Sequence, residues 1–460
     1  MVDERERSVA TGSAARSSAP LESHGTIEFG PDRDVVGLLD SQNADREPEL
    51  VPVRHGRMLV SPFTFYRGAA LPMAADLSTT ASSGLRVQLC GDAHLSNFGA
   101  FGSPERRLVF DLNDFDETLP GPFEWDVKRL AVSMAVAGRE NGFTAKERRK
   151  VVRTTVSAYR RTMATFAAQP MLDVWYARLD VAQTLEDFEH SLSKKTVRRV
   201  RSQVAKAMTR DSTQALAKLS RTVDGERRII SDPPLIVPIE DLAGEMAVDE
   251  LYAFLRDLVA RYAETLTPDR RRLLENFHLT RVARKVVGVG SVGTRAWILL
   301  MEPRDGLDPL LLQAKQANRS VLADYLGDSE HDEQGERVVE GQRLMQAVGD
   351  ILLGWQRVSA RGNAPVDYYL RQLRDWKFAV DVSRLGPGKM AKYGTLCGWT
   401  LARAHARTGD RIAIAAYLGD TEEFDRALAD LAETYADQTE RDHADLAAAV
   451  GSGRIEAVEA

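Results

Sequence analysis

Apolar residues recur at helical spacing over much of the chain. Between Val127 and Ala137 they return every three or four positions, which predicts an amphipathic helix ending near Gly142. Thr144 is a favourable N-cap for the next helix, which extends to about Ala168. Further helical patterns cover residues 184–222, 248–277, 395–406 and 421–450. A large helical region is therefore predicted.

Short apolar runs bounded by glycine, proline and aspartate predict a smaller set of strands. Three such runs lie at residues 280–287, 296–301 and 309–315. A helical pattern at residues 332–353 follows them, and residues 366–382 have the pattern of a connector between a strand and a helix. Two shorter runs, at residues 87–90 and 108–112, predict buried strands nearer the N-terminus. The predicted fold class is α+β.

The N-terminal residues 1–46 are rich in serine, alanine, arginine and glutamate and show no apolar period. This composition predicts a disordered tail that ends by residue 49. The rest of the chain divides into a helical region containing the polar loop described below, a strand region and returning helices, at residues 50–277, 278–382 and 383–460. A chain of 460 residues is long enough for two or three packed units.

Charge and cysteine content exclude several classes of function. The net charge of −6 and the pI near 5.9 give no general attraction to nucleic acid or to anionic lipid. Cys90 and Cys397 are the only cysteines, so a disulfide framework is not expected and a reducing cytoplasm is. No apolar run reaches the roughly 18 residues of a membrane span, and the polar N-terminus does not resemble a signal peptide.

The segment from residue 89 to residue 126 carries the densest group of candidate catalytic side chains. Asp92 and Asn97 stand five residues apart in a polar loop, and the next predicted strand is followed by Asp114 and Asp116. Asp126 comes twelve residues after Asp114. Phosphoryl transfer needs a carboxylate near the accepting hydroxyl, and an amide oxygen with a second carboxylate to hold magnesium. The segment therefore predicts this chemistry.

The motif Gly91-Asp-Ala-His-Leu-Ser-Asn97, together with the later aspartates, resembles the catalytic loop of aminoglycoside phosphotransferases and related small-molecule kinases. The resemblance implies that Asp92 is the catalytic carboxylate and that Asn97 and Asp114 bind Mg²⁺. It also implies that Asp126 is a structural acceptor that braces the loop backbone. Cys90 departs from that family, which usually has histidine at this position.

Three further residues are expected near this loop in supporting roles. His94 and Asp116 are close enough in sequence to contact the catalytic and metal-binding side chains. Arg67 lies in the aromatic segment at residues 61–68. It is either a surface arginine on a packed turn or a residue placed near a phosphate, and the sequence leaves both interpretations open.

A glycine-rich segment provides the second candidate motif. Gly288-Val-Gly-Ser-Val-Gly293 alone is a weak signal that also fits a bulged hairpin. It lies between two predicted strands and is not followed by a helix, so it lacks the context of a dinucleotide-binding motif. Lys315 ends a later strand, and Glu340 lies on the helix after it, with Glu336 as its rival.

This order of glycine loop, strand lysine and helix glutamate resembles the nucleotide lobe of protein kinases. The resemblance implies that backbone amides around Gly290 and Ser291 cover the phosphates of ATP. Lys315, held by Glu340, would contact the α- and β-phosphates.

The order of the two motifs is the reverse of that in kinases, where the glycine loop comes first. The helix at residues 401–406 resembles the one that directly precedes the catalytic loop in aminoglycoside phosphotransferases, yet here it lies near the C-terminus. We therefore expect a circularly permuted, bilobal, protein-kinase-like fold with a helical lobe and a smaller antiparallel-sheet nucleotide lobe. Residues 50–450 also resemble an uncharacterised bacterial family, domain of unknown function 2252, through the motifs around Asp92, Asp114 and Ser291.

The expected activity is ATP- and Mg²⁺-dependent phosphoryl transfer to a hydroxyl of an unidentified small molecule or protein. A nucleotide-binding pseudokinase and an AMP-transferring enzyme are alternatives on the same fold. A metallophosphatase is disfavoured, because the candidate Gly362-Asn363 has no following histidine. An interaction module that uses the basic residues at 194–201 is a further alternative.

Overall fold

Helices and antiparallel strands alternate along the chain in the computed structural model, and the fold is α+β. The structure describes residues 4–188, 194–208, 212–223, 225–242, 244, 247–286, 288, 290–359, 364–373, 376 and 378–458. The helices are α1 Glu4–Ser18, α2 Val35–Asn43, α3 Val51–Leu59, α4 Pro62–Gly68, α5 Ala70–Leu77, α6 Phe123–Glu140, α7 Ala145–Ala168, α8 Met171–Tyr176, α9 Val181–Phe188, α10 Lys194–Met208, α11 Ser212–Leu219, α12 Val248–Glu264, α13 Pro268–Leu274, α14 Ala323–Leu326, α15 Gln334–Met345, α16 Pro387–Thr408, α17 Arg411–Leu418 and α18 Glu423–Gly451. The strands are β1 Arg86–Leu89, β2 Phe98–Gly102, β3 Leu108–Leu112, β4 Leu119–Pro122, β5 Leu179–Asp180, β6 Ser220–Val223, β7 Glu226–Ile229, β8 Ile236–Pro238, β9 Phe277–Lys285, β10 Ala296–Pro303, β11 Leu310–Gln316, β12 Gly354–Val358 and β13 Val366–Gln372.

The main core forms where α6, α7, α16 and α18 pack together. The predicted cap of α7 is confirmed: Thr144 Oγ1 accepts from the Glu147 amide at 3.3 Å, and the Glu147 carboxylate accepts from the Thr144 amide at 2.8 Å. α6 is buried along almost its whole length, because the surrounding helices and β1 cover both of its faces. This helix leads directly out of the segment that carries the candidate chemistry.

The six-stranded sheet has the order β12-β13-β11-β10-β9-β8, and every pairing is antiparallel. The three predicted runs form β9, β10 and β11. The segment predicted as a connector was wrongly interpreted, because its first half is β13, which pairs Tyr369 with Lys315 in the interior of the sheet. α12 packs on this sheet through Leu251 and Tyr262. The structure therefore groups α12 with the strand region and not, as predicted, with residues 50–277.

Two small sheets bring the loop at Asp92 next to Asp114. β1 pairs with β4 and leads into the loop, while β2 and β3 form an antiparallel pair. Phe98 lies opposite Leu112 in this pair, and the Asn113 amide donates to the Asn97 carbonyl oxygen at 2.9 Å. The predicted strand at residues 108–112 thus ends beside the start of its partner.

The prediction of a disordered N-terminal tail was wrong. α1 packs on α17 so closely that a Cβ on Gly12 would lie 2.2 Å from the Ala413 carbonyl oxygen. Arg16 Nε donates to the Tyr417 carbonyl oxygen at 2.6 Å, and Leu21 is 1% exposed. Contacts made by small residues and by arginine to carbonyl groups leave no apolar period in the sequence, which explains the error.

Both cysteines are buried and neither forms a disulfide. Within the described ranges, no helix is long and apolar enough to cross a membrane. The basic helix predicted near residues 194–201 is α10, whose Lys194 and Arg198 are exposed. Gly362 and Asn363, considered above for a metallophosphatase, lie outside the described residues.

Candidate functional site

Asp126 fixes the backbone of the candidate catalytic loop, as predicted. Its carboxylate accepts from the Cys90 amide at 2.8 Å and from the Gly91 amide at 3.1 Å. His405, from helix α16, places Nε2 3.2 Å from Asp126 Oδ2. Gly91 has a φ of +83°, and a Cβ there would lie 2.3 Å from the Glu117 carbonyl oxygen. The loop is thus tied to both α6 and α16.

Asp92 points one carboxylate oxygen at a buried arginine. Arg129 Nε donates to Asp92 Oδ1 at 2.8 Å, and Arg129 Nη2 donates to the Tyr66 carbonyl oxygen at 2.7 Å. Asp92 Oδ2 lies 3.6 Å from His94 Nε2. Burial lowers the pKa of His94 to about 4, so this ring is neutral near pH 7.

Arg129 is a site residue that was not predicted from the sequence. The only available signal was a pair of consecutive cations, Lys128 and Arg129, inside an otherwise apolar helical pattern. Both side chains are buried. A charge in such a position needs a partner, and for Arg129 the partner is the candidate catalytic aspartate.

Asn97 and Asp114 lie at the edge of one cavity with oxygen atoms suited to a magnesium ion. Asn97 Nδ2 donates to the Asp92 carbonyl oxygen at 2.7 Å, which orients the amide and presents its oxygen as the acceptor. Asp114 follows β3 with its side chain 35% exposed. Burial and the neighbouring Asp116 raise the pKa of Asp114.

The side-chain oxygens of these two residues suit a Mg²⁺ ion that is bound together with a nucleotide. Mg²⁺ prefers hard oxygen ligands, and in such a complex phosphate and water supply several of those ligands. Within the part of the chain that the structure describes, no three His, Cys, Asp or Glu side chains form a preformed metal cage. Two protein oxygens are sufficient for a metal held mainly by its substrate.

Lys315 extends from β11 to the same carboxylates. Its amine lies 2.6 Å from Asp116 Oδ2 and 4.0 Å from Asp114 Oδ1, and the side chain is 4% exposed. The Tyr369 hydroxyl donates to Asp116 Oδ1 at 2.6 Å. Burial opposes the charge of Lys315, but the attraction of Asp114 and Asp116 outweighs it and raises the pKa of the amine. Lys315 is therefore fully protonated at neutral pH.

The predicted partner of Lys315 was wrong. Glu340 Oε1 accepts from Arg343 Nη1 at 2.7 Å, with its side chain 33% exposed. Its rival Glu336 lies 3.7 Å from His331. Asp116 takes the role that was assigned to the helix glutamate.

The cause of this error is the orientation of α15. The helix turns Arg337 towards the acidic segment, where its side chain is 2% exposed. Arg337 donates to the carbonyl oxygens of Asp116 at 2.9 Å and Thr118 at 2.7 Å. The helix thus contacts the backbone of the acidic segment through an arginine, and Glu340 lies on another face.

The glycine loop turns over the carboxylates between β9 and β10. Gly288 and Gly293 have φ values of +71° and +89°, which favour glycine. Ser291 Oγ donates to Asp116 Oδ2 at 3.4 Å. A Cβ on Gly290 would lie 3.4 Å from the Arg67 carbonyl oxygen. Val287 and Val289 of the motif lie outside the described residues.

The N-terminal segment holds this loop from the other side. The Glu47 amide donates to the Gly293 carbonyl oxygen at 2.8 Å, and Arg57 Nη1 donates to the Gly288 carbonyl oxygen at 2.6 Å. Arg46 Nη1 donates to the carbonyl oxygen of Val292. Sequence analysis missed these contacts, which involve backbone groups and carry no sequence motif.

The candidate residues line two adjoining cavities. The smaller, of about 360 Å³, is lined by Arg67, Asp92, His94, Asn97, Asp116 and Gly290 among others. The larger, of about 710 Å³, is lined by Lys315 and by polar side chains including Gln313 and Arg371. Asp114, Gly288 and Ser291 line both. The combined volume suits a small-molecule ligand that extends from one cavity into the other.

Comparison with known proteins gives a match to one family model. Comparison with curated proteins finds no match, and comparison with solved structures finds none either. The sequence profile of a family of uncharacterized proteins conserved in bacteria matches residues 46–449, which include every candidate site residue described above. The chain therefore belongs to that family, DUF2252.

Proposed function

We propose that the protein is an ATP- and Mg²⁺-dependent phosphotransferase of the kinase-like type. The observation that carries the proposal is the position of Asp114, 4.0 Å from the Lys315 amine. Asp114 lines one cavity with Asp92 and Asn97, and an adjoining cavity with Lys315 and Ser291 of the glycine loop. A cation, a metal-binding carboxylate and a carboxylate for the acceptor are the groups that phosphoryl transfer requires. The acceptor is a hydroxyl of an unidentified small molecule or protein.

The fold we propose is a circularly permuted kinase-like fold. The order β9, glycine loop, β10, β11 with its lysine, α15, β12 and β13 is that of a kinase nucleotide lobe. The elements that would follow in a kinase are α16 near the C-terminus and the Asp92 loop near the N-terminus. The contact of His405 with Asp126, at 3.2 Å, supports this continuity in space across the two chain ends.

In this proposal the triphosphate lies across the two cavities. Lys315 and the backbone around Ser291 bind the phosphates, and Asn97 and Asp114 hold the metal. Bound Mg²⁺ would neutralise charge on the phosphate oxygens. Asp92 Oδ2, the oxygen not bound by Arg129, orients the acceptor hydroxyl and receives its proton. The ion pair with Arg129 holds Oδ1 in place, which leaves Oδ2 directed to the acceptor.

A nucleotide-binding pseudokinase or an AMP-transferring enzyme would use much of the same site. The experiment that separates these functions is a product analysis after incubation with ATP and Mg²⁺, with water or an added metabolite pool as acceptor. A phosphotransferase releases ADP, an AMP transferase releases pyrophosphate, and a pseudokinase releases neither above background. We expect ADP that depends on Mg²⁺ and is lost in Asp92→Asn; pyrophosphate as the product, or no product with any acceptor, contradicts phosphoryl transfer.

A further inference from the structure

Arg67 lies in the smaller cavity with no direct acidic partner among the described residues. No ion pair within 4.0 Å is formed by its guanidinium with the described carboxylates, and its Nε is buried without a hydrogen-bond acceptor. Asp92 and Asp114 attract it from a greater distance. A partly buried cation without a neutralising contact is unfavourable, and an anionic ligand in the cavity would neutralise it.

Two carboxylates of this cavity already have cationic partners. Asp92 is paired with Arg129, and Asp116 with Lys315. Asp114 is left 4.0 Å from the nearest amine. Asp114 and Arg67 therefore line the same cavity, and neither forms an ion pair shorter than 4.0 Å with the described residues. A metal ion and a phosphate group, bound together, would satisfy both.

Arg67 is held in place by the ends of its helix. Ser61 and Thr64 form a reciprocal cap at the start of α4, and the aromatic neighbours Phe65 and Tyr66 are each 1% exposed. At the other end, the Arg67 carbonyl oxygen lies against Gly290 of the glycine loop. The guanidinium therefore projects from a rigid element between the glycine loop and the Asp92 loop.

We propose that Arg67 is a catalytic residue that binds the terminal phosphate of the nucleotide and stabilises its charge during transfer. This inference rests on the proposed function. In the step, the acceptor oxygen forms a bond to the γ-phosphorus while the bond from that phosphorus to the β,γ-bridging oxygen breaks. The bond's electron pair leaves with ADP, and the acceptor's proton passes to Asp92 or to water. Arg67 contacts the equatorial oxygens, where charge accumulates.

The test compares Mg²⁺ complexes of ADP and of a non-hydrolysable ATP analogue by calorimetry, and the rate of ADP release from ATP. Arg67→Gln should leave ADP affinity within about twofold and weaken the analogue by about tenfold. ADP release should fall by on the order of 10²-fold. Arg454→Gln is the control for the loss of one guanidinium, because Arg454 lines neither cavity and forms an exposed pair with Asp34. It should leave both affinities and the rate near those of the wild type.

Arg67→Lys covers the case in which Arg67→Gln does not fold. It keeps the charge but not the bidentate fork, so the analogue should again lose affinity while ADP does not. Equal losses for ADP and the analogue indicate a structural role and overturn the proposal, as does wild-type affinity for both. If the wild-type protein binds neither nucleotide, the proposed function itself has failed, and with it this inference.

Discussion

The amine of Lys315 donates to the carboxylate of Asp116 at 2.6 Å, and this contact joins the six-stranded sheet to the acidic segment after β3. In kinases the lysine of the nucleotide lobe is held by a glutamate from a helix, and Glu340 was the residue predicted to hold Lys315. Here the carboxylate comes from two residues beyond the candidate metal ligand Asp114. The lysine, the metal ligand and the acidic segment are therefore positioned as one unit.

The contact between Lys315 and Asp116 predicts that substitution of Asp116 lowers the rate of ADP release more than substitution of Glu340 does. Asp116→Asn removes the charge that holds Lys315 and should lower ADP release by about tenfold or more. Glu340→Gln alters a partly exposed pair with Arg343 and should change the rate by less than about twofold. Steady-state assays of both variants, with melting temperatures measured in parallel, provide the comparison. A larger effect of Glu340→Gln than of Asp116→Asn would contradict this prediction and favour Glu340 as the partner of Lys315.

Substitution of Asp126 should act mainly by lowering the stability of the fold. Asp126→Ala leaves the Cys90 and Gly91 amides without acceptors in a buried site, at a cost of about 2–4 kcal/mol in the free energy of unfolding. His405→Gln removes the contacts with Asp126 and with the Tyr159 hydroxyl but leaves both loop amides paired, and should cost less. Urea denaturation of the three proteins measures the differences. A free energy for Asp126→Ala within about 0.5 kcal/mol of the wild type would show that the loop needs no brace.

Glu117 should make stability depend on pH. Burial raises its pKa from 4.5 to about 7, although the Val321 amide donates to its carboxylate at 2.8 Å. Between these two pH values the native state binds more protons than the unfolded state, so this group lowers the free energy of unfolding as pH rises. Glu117→Gln should remove that decline and gain up to about 3 kcal/mol on the wild type from pH 4.5 to pH 7.5.

Denaturation curves of the wild type and Glu117→Gln at several pH values measure this difference. Glu340→Gln serves as a control for the loss of one carboxylate from a more accessible position. A difference between wild type and Glu117→Gln that stays constant from pH 4.5 to pH 7.5 contradicts the assignment.

The N-terminal segment should be required for folding. Arg33 binds Asp76 at 2.7 Å and Asp442 at 2.5 Å, and both carboxylates are nearly inaccessible. Arg33→Gln leaves two buried charges without a cation and should cost about 3 kcal/mol. Arg454→Gln breaks an exposed pair with Asp34 and should cost less than about 0.5 kcal/mol. Thermal unfolding of both variants decides whether the segment is part of the core or a dispensable tail.

Features that depend on residues close together in the sequence were predicted correctly, whereas those that depend on contacts between distant segments were not. The strand at residues 108–112, the Thr144 cap and the bracing role of Asp126 depend on local pattern or on one continuous segment, and each was predictable. The partner of Lys315 depends on which face α15 turns towards the sheet, and no local pattern carries that information.

Buried arginines were the second source of error. Arg129 and Arg337 lie on helices in which a charged residue usually faces solvent. Their partners, Asp92 and the backbone around Asp116, come from distant parts of the chain. A single sequence shows such cations but not what they contact.

The most direct test is a calorimetric titration of ATP into the wild-type protein and into Asp114→Asn, with and without Mg²⁺. Asp114 is 35% exposed, and the nearest amine, that of Lys315, lies 4.0 Å away and binds Asp116 more closely, so the substitution should leave the melting temperature of the free protein nearly unchanged. The wild type should bind ATP in a Mg²⁺-dependent manner, and Asp114→Asn should bind it at least about tenfold more weakly. Absence of binding by the wild type, or equal binding by the two proteins, would contradict a nucleotide–metal site at this cleft.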